Sequence, residues 1–241
     1  MEVHSHTHTE RKKWTHYLWE FLMLFLAVFC GFLAENIREH AVEHKRAKQF
    51  AISLISDLKE DTAALNTAIA WGNKKIKTAD SLIAQLDQPK EKWKDTLIYT
   101  YIGTTSRTRT FGYNSGTYEQ MKASGSLRYF KQKLSNMLNQ YDVQAKKAKV
   151  REDFHVHVTT NLFNPFLIQV IDSRIAIQIQ NGHIPTHPLV FRKTDKETIA
   201  LWINYAAGIQ STQERAVIEY DIMLRKAKEI IATLEKEYHL K

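Results

Sequence analysis

An apolar run without a charged residue, FLMLFLAVFCGFLA, extends from Phe21 to Ala34. Trp14 and Trp19 stand at its start, where amphipathic rings favour the interface between a membrane and water. Counted from Trp14 the segment has 21 residues, and at about 1.5 Å per residue a helix of that length crosses the hydrocarbon core of a bilayer. The sequence therefore predicts one transmembrane helix over residues 14–34.

Glu20 is the one acidic residue inside this predicted span. A carboxylate within a bilayer is costly, so Glu20 either lies shallow and reaches the head-group water or contacts a partner helix inside the membrane. Phe32 argues against a cleaved signal peptide, because cleavage sites carry small residues, and Phe29 before Cys30 argues in the same way against a lipoprotein site. We therefore expect the span to be retained as an anchor.

Positive charges flank the start of the span at Arg11–Lys13, whereas residues 35–40 contain one Arg and two Glu. Lys and Arg concentrate on the cytoplasmic side of membrane helices. This asymmetry predicts that residues 1–13 form a cytoplasmic tail and that the domain lies on the opposite side. The basic residues between positions 45 and 48 weigh against this orientation.

Glycine and proline are scarce, with eight Gly and four Pro in 241 residues. The long stretches without either carry helix formers at helical spacing, which predicts an all-α domain over residues 35–241. The single cysteine, Cys30, lies inside the predicted span, so the domain has no disulfide. The net charge of +8 comes from Lys and Arg interleaved with Asp and Glu. This pattern is typical of solvated helix faces, and we expect no nucleic-acid binding.

No Gly or Pro stands between Gly31 and Gly72, so the membrane helix is expected to continue into the domain. Apolar residues then recur alternately four and three positions apart, which is the rhythm of a coiled-coil seam, and Pro89 ends the pattern. The predicted seam consists of Ala51, Ile55, Leu58, Thr62, Leu65, Ile69, Gly72, Ile76, Ala79, Ile83 and Leu86.

Two further long helices are predicted. One extends from about Ser126 to Phe163 and ends at Asn164–Pro165. The other closes the chain and begins with a capping box formed by Thr194 and Glu197. Three helices of matched length predict a long antiparallel helical bundle standing off the membrane. The seam of the closing helix consists of Ile199, Trp202, Ala206, Ile209, Gln213, Ala216, Tyr220, Met223, Ala227, Ile230 and Leu234.

The connection between the first two domain helices is expected to contain a short helix near residues 93–104 and a polar loop through Arg109. A second short helix follows, capped near Ser115 or Thr117 and ended by Gly125.

The stretch 166–184 fits two structures. Its first apolar residues suit a short helix, and the alternating Ile175, Ile177 and Ile179 are strand-like.

Two parts of the chain resemble a known family. The run ERKKWTHYLWEFLMLFLAVFCGFLAENIREHAVEHKRAKQFA, together with GTYEQMKASGSLRYF, resembles a family of uncharacterised small single-pass membrane proteins common in Bacteroidota. Members look like this chain throughout, with an acidic residue at the start of the span, a charged helix after it and a "TYEELKSSGNL"-like motif. That motif corresponds to Thr117 through Leu127 here. The resemblance implies the architecture and a bacterial envelope setting, but no chemistry. Together with the charge asymmetry around the span, it leads us to expect a single-pass protein of the bacterial inner membrane with a periplasmic domain.

A possible zinc site lies just after the span. His40, Glu43 and His44 form an H-x-x-E-H pattern, in which two His one helical turn apart bind zinc and Glu activates water. A charged juxtamembrane helix gives the same pattern without a metal, and no downstream acidic ligand stands out. A zinc-dependent hydrolase is therefore the alternative function. The tail offers a weak transition-metal site of its own at His4, His6 and His8.

The motif from Gly116 to Leu127 is a candidate surface for a partner or a ligand. Tyr118, Glu119 and Lys122 are expected to form an exposed polar face at the membrane-distal tip of the bundle, while Met121 packs inward and Ser124–Gly125 makes the turn. The alternative is a cap that closes the bundle.

No Ser-His-Asp, phosphate-loop or CxxC signature is present, which favours a protein that is not an enzyme and has no cofactor. The sequence thus predicts a membrane-anchored binding or scaffold protein of the bacterial envelope. Its expected partners are membrane lipid and either another envelope protein or a second copy of the chain.

Overall fold

The computed structural model describes residues 14–183, 185 and 189–240. These residues form helices and no β-strand, so the all-α prediction is confirmed. The α-helices are α1 (Trp14–Leu86), α2 (Asp95–Thr105), α3 (Gly116–Ala123), α4 (Gln132–His157), α5 (Asn164–Val170), α6 (Ser173–Gln180) and α7 (Lys196–Tyr238). Between them lie 3₁₀ turns at Lys90–Lys92 and Ser126–Tyr129 and a π-helical turn at Val158–Phe163.

The chain divides into two compact units, of which the first ends at Gln49 and the second begins at Phe50. In the first unit, every residue of α1 from Trp14 to Val42 is exposed. This helix is long and apolar enough to cross a membrane. Residues 35–42, which follow the apolar run, are exposed as well.

Three long helical stretches build the second unit: α1 from Phe50 onward, α4 continued by α5, and α7. Asp61 and Lys75 of α1 contact Tyr141 and His155 of α4, and each partner lies 80 residues further along the chain. Since this separation is constant, α1 and α4 run in the same direction.

Helix α7 runs antiparallel to α4. Glu152 of α4 bonds Tyr220 of α7. His155, which comes later in α4, bonds Thr212, which comes earlier in α7. The parallel pair in the bundle is therefore α1 and α4. A short turn cannot connect two parallel helices.

The segment between α1 and α4 accordingly returns along the bundle. It consists of α2, an irregular stretch over residues 106–115 and α3. We call residues 106–115 the crossover segment. It passes from Lys75 of α1, which bonds the carbonyl of Arg107, to Asp61 of α1, which accepts from the backbone of Asn114.

Apolar side chains close the bundle where α2, α5 and α6 meet the end of α1 and the start of α7. Trp202 lies fully buried at the centre of this cluster, with its ring centroid 6.5 Å from that of Trp93 and 6.0 Å from that of Phe191. Aromatic groups of this size fill the wide space between several short helices.

The prediction for the middle long helix was wrong at both ends. A 3₁₀ turn occupies Ser126–Tyr129, and α4 starts only at Gln132. At the other end a π-helical turn leads into α5, so helical structure continues to Val170. Proline is tolerated there because Pro165 lies in the first turn of α5, where a backbone N–H has no helical partner to lose.

The strand-like interpretation of Ile175, Ile177 and Ile179 was also wrong, because these residues belong to α6. The side chain of Asp172 accepts a hydrogen bond from the backbone N–H of Arg174 and caps this helix. Burial follows the helical pattern, since Ile175 is buried and Ile177 is exposed.

The first turn of α7 is capped one residue later than predicted. The N-cap is Asp195, whose carboxylate accepts from the backbone N–H of Thr198 at 2.9 Å and from its hydroxyl at 2.7 Å. The predicted seam of α7 from Trp202 to Leu234 is buried at every position.

The predicted seam of α1 is partly right. The predicted positions that are buried are Ala51, Ile55, Leu58, Leu65, Gly72, Ala79 and Leu86. Beyond Ile55 the alternate row lies one residue earlier than predicted, at Asp61, Ala68, Lys75 and Leu82. The polar residues Asp61 and Lys75 occupy core positions of that row, which is why the apolar pattern alone favoured Thr62 and Ile76.

Candidate ligand-binding site

Buried charged side chains hold the backbone of the crossover segment in place. On α1, Lys75 Nζ donates to the carbonyl of Arg107 at 2.6 Å, and Asp61 accepts from the N–H of Asn114 at 2.9 Å. On α4, Glu152 accepts from the N–H of Phe111 at 2.5 Å. An irregular segment lacks ladder partners for its backbone groups, and these side chains supply them.

A cavity of about 390 Å³ lies beside the crossover segment, where α3, α4 and α7 meet. This volume falls within the usual range for small-molecule sites. The walls combine aromatic rings with side chains of both charges. The lining residues are Phe111, Gly112, Tyr113, Ser115, Glu119, Asp142, Ala145, Lys146, Lys149, Glu152 and Tyr220.

Glu152 is the most deeply buried charged residue in this lining, with its side chain 4% exposed. Its Oε2 atom accepts two hydrogen bonds, one from the N–H of Phe111 and one from the hydroxyl of Tyr220 at 2.6 Å. Its Oε1 atom accepts none from the residues that the structure describes, although Lys149 Nζ lies 3.7 Å away. One oxygen of a buried carboxylate at the cavity wall therefore lacks a donor.

Two carboxylates of the cavity are buried, whereas its lysines are exposed at the rim. The carboxylates of Asp142 and Glu152 are 5% and 4% exposed, while the side chains of Lys146 and Lys149 are 67% and 60% exposed. Lys146 pairs with Asp142 at 2.7 Å, and Lys149 pairs with Asp153 outside the cavity. The carboxylates thus form the interior and the ammonium groups form the rim.

A second polar network lies in the core near the cavity but does not line it. Lys75 Nζ is 2.9 Å from His155 Nε2, and His155 Nδ1 is 2.9 Å from the hydroxyl of Thr212. Thr212 in turn donates to the carbonyl of Gly208. Lys75 can donate only if Nε2 of His155 accepts, which assigns the proton of the neutral imidazole to Nδ1. Burial lowers the pKa of Lys75 to about 7, and burial together with the Lys75 charge lowers the pKa of His155 to about 3.

Asp61 and Tyr141 form the other buried polar pair. Their side chains are 2.7 Å apart, and burial raises the pKa of the Asp61 carboxyl. Burial and the adjacent Asp61 also raise the pKa of Tyr141. This pair positions Asn114, the residue of the crossover segment that precedes the turn into α3.

The face predicted for α3 is only partly present. Tyr118 is buried rather than exposed, and the ammonium of Lys122 lies 5.3 Å from the centre of its ring. Glu119 pairs with Lys122 at 3.1 Å and is the one member of the predicted trio that lines the cavity. Met121 is buried, and Gly125 adopts a left-handed conformation with φ of 68°, as the turn requires.

Sequence reasoning missed Asp142, Glu152 and the ring of Phe111. A signal was present, because the inward rhythm of α4 continues beyond Ala148 at spacings of four and three to Glu152 and His155. Both are buried. A charged residue at a core position of a helical pattern indicates a partner that satisfies it.

The residues of the zinc hypothesis lie in the first unit. His40 Nδ1 is 4.0 Å from Glu43 Oε2, and His40 and His44 are both exposed. Among the described residues no group of three or more His, Cys, Asp or Glu side chains is placed to hold a metal ion. The zinc site therefore stays a prediction from the sequence pattern. The tail histidines His4, His6 and His8 lie outside the described residues.

Glu20 contacts its own helix. Its Oε1 atom lies 2.9 Å from His16 Nε2, one turn earlier, and both side chains are about half exposed. Such a pair lowers the cost of placing the carboxylate near a membrane surface.

Comparison of the chain with models of known protein families, with curated proteins and with solved structures finds no match.

Proposed function

We propose that this chain is a membrane-anchored, non-enzymatic binding protein of the bacterial envelope, whose helical domain takes up a small ligand beside the crossover segment. The observation that carries this proposal is a buried carboxylate oxygen at the cavity wall, Glu152 Oε1, which accepts no hydrogen bond from the described residues and has Lys149 at 3.7 Å as an ionic partner. A fold gains nothing from such an oxygen by itself, because a buried unsatisfied acceptor costs about 1–3 kcal/mol. A bound ligand that donates a hydrogen bond repays that cost.

Membrane anchoring is supported by the first unit. Bulky apolar side chains such as Phe25, Val28 and Phe32 are more than half exposed along the predicted span. A continuous apolar helix surface of this kind is favourable in lipid and unfavourable in water. The resemblance to the single-pass family of Bacteroidota supports an anchor in the inner membrane, and Arg11–Lys13 favour a cytoplasmic N-terminus with a periplasmic domain.

A cavity-filling variant tests the binding function. Ala145 lines the cavity and is 5% exposed, so Ala145→Phe should occupy the space that a ligand needs. Small molecules released from the purified full chain would be compared by mass spectrometry between the wild type and this variant. We expect at least one compound that accompanies only the wild type. Identical profiles from two folded proteins would contradict the proposal.

A matched control is available on the same helix. Val143 is 45% exposed and does not line the cavity, so Val143→Phe adds comparable bulk elsewhere. This variant should retain the wild-type profile.

A further inference from the structure

We propose that the cavity selects an organic ammonium ion, meaning a protonated amine carried on an apolar or aromatic body. This inference depends on the proposed binding function and adds the chemical class of the ligand. Three features of the cavity support it: the free acceptor on Glu152, the aromatic walls and the placement of charge.

The free acceptor specifies a donor. Glu152 Oε2 already accepts from Phe111 and Tyr220, which fixes the carboxylate against rotation. Glu152 Oε1 accepts no hydrogen bond from the described residues, and Lys149 Nζ at 3.7 Å is an ionic partner beyond hydrogen-bond distance. Lys149 shares its charge between Glu152 and Asp153. An ammonium group at this oxygen would form a charge-assisted hydrogen bond, which is stronger than one between neutral groups.

The aromatic walls suit a cation as well as an apolar body. Phe111, Tyr113 and Tyr220 all line the cavity, and the rings of Phe111 and Tyr220 meet edge to face with centroids 5.8 Å apart. The faces of such rings attract ammonium ions, while their area favours hydrocarbon. Most of the exposed surface of the cavity wall is apolar. We therefore expect the amine at one end of a larger apolar molecule.

The placement of charge disfavours an anion. Three carboxylates and two lysines line the cavity, which gives the lining a formal charge of −1. The buried members are the carboxylates Asp142 and Glu152, whereas the lysines are mainly exposed at the rim. Exposed charges are screened by water and salt, and buried charges are not. An anion entering the cavity would therefore meet two buried carboxylates, whose lysine partners Lys146 and Lys149 lie at the exposed rim.

The test uses the full chain in a mild non-ionic detergent and three probes with one aromatic ring each. The cation is 2-phenylethylammonium, its neutral counterpart is 2-phenylethanol and its anionic counterpart is phenylacetate. Binding would be measured by isothermal titration calorimetry and by saturation-transfer NMR. We expect the cation to bind at least about tenfold more tightly than either counterpart, as one charge-assisted hydrogen bond allows.

Glu152→Gln removes the charge and retains an acceptor for Phe111 and Tyr220. It should weaken binding of the cation by about tenfold or more and leave binding of the neutral probe within about twofold. Asp221→Asn is the matched control, because Asp221 is exposed on α7 and does not line the cavity. It should leave all affinities unchanged. If Glu152→Gln fails to fold, Asp142→Asn removes the other buried negative charge of the cavity and should weaken binding of the cation by a smaller factor.

Tighter binding of phenylacetate, or equal binding of the cation to wild type and Glu152→Gln, would overturn the ligand class and leave the binding function standing. Absence of binding by all three probes would also overturn this inference, since Glu152 Oε1 would then bond only water. The comparison of wild type with Ala145→Phe decides the binding function independently of these results.

Discussion

Buried charged or titratable residues at core positions of the second unit include Asp61 and Lys75 on α1, and Glu152 and His155 on α4. Buried charge is costly unless it is hydrogen bonded. Asp61, Lys75 and Glu152 each bond a backbone group of the crossover segment, and His155 accepts from Lys75. These four residues therefore hold the crossover segment on a fixed path, at a cost to the apolar packing between the helices.

Lys75 gives the protein a characteristic dependence of stability on pH. Its side chain is fully buried, and burial lowers its pKa to about 7 in the folded state. The unfolded chain keeps the ordinary pKa near 10.4, so it binds more protons than the folded chain between these values. Stability should therefore rise as pH increases from 7 to about 9.5, by at most about 1.4 kcal/mol per pH unit.

Thermal unfolding of the detergent-solubilised chain, followed by circular dichroism at several pH values, measures this slope. Lys75→Met should abolish it, whereas Lys77→Met, at an exposed position of the same helix, should retain it. The range ends below pH 10 because tyrosines with raised pKa, such as Tyr220, destabilise the fold once the unfolded chain ionises. Equal slopes in both variants would show that Lys75 is not buried as described.

These polar core residues also mark the limit of sequence reasoning at this scale. Apolar periodicity predicted the burial of Leu58 and Leu65 correctly, because their contribution is the transfer of hydrocarbon from water. It placed Thr62 and Ile76 in the core instead of Asp61 and Lys75, because the partners of a buried charge lie far away in the sequence. No local pattern indicates that Asp61 meets Tyr141, which lies 80 residues later.

At the scale of elements, the crossover segment follows from the direction of the helices. Sequence spacing predicted three long helices, yet it does not specify which pairs are parallel. A parallel pair needs a connection that returns the length of the bundle, and the residues between α1 and α4 provide it. The cavity lies beside the crossover segment. The site therefore depends on the relative direction of the helices, which helix periodicity does not predict.

Close packing of α1 on α7 depends on a glycine. A Cβ atom at Gly72 would lie 2.9 Å from Gln213 Nε2 and still closer to the side chain of Val217. Gly72→Ala should therefore destabilise the second unit by about 1–3 kcal/mol, as overpacking of a core does. Gly208 is the matched control, since it lies within α7 and a Cβ there meets nothing within 4 Å.

Gly208→Ala should stabilise the protein by about 0.5–1 kcal/mol, because alanine is the better helix former. Thermal melts of the two variants beside the wild type make the comparison. Changes of the same sign would mean that α1 and α7 do not approach at Gly72.

At the scale of the whole molecule, the chain combines two units with opposite solvent requirements. The first unit exposes apolar side chains along α1, whereas the second encloses an apolar core around Trp202 and along the long helices. From hydropathy the sequence predicts an anchor that ends at residue 34, while the first compact unit extends to Gln49. The two limits describe different features, since the predicted one marks the end of an apolar run.

The two units should therefore separate into an insoluble and a soluble part. A fragment that begins at Lys45 lacks the exposed apolar surface and retains the residues that enclose the second core. We expect it to stay in solution without detergent and to unfold in one cooperative transition, since its core, its helix caps and the bonds of the crossover segment are internal to it. Its melting temperature should lie within a few degrees of that of the full chain in detergent, because the removed residues from Trp14 to Val42 are exposed in the folded chain. Analytical ultracentrifugation and circular dichroism measure both properties. A fragment that aggregates, or that loses helicity without a transition, would show that the second unit requires the first for its stability.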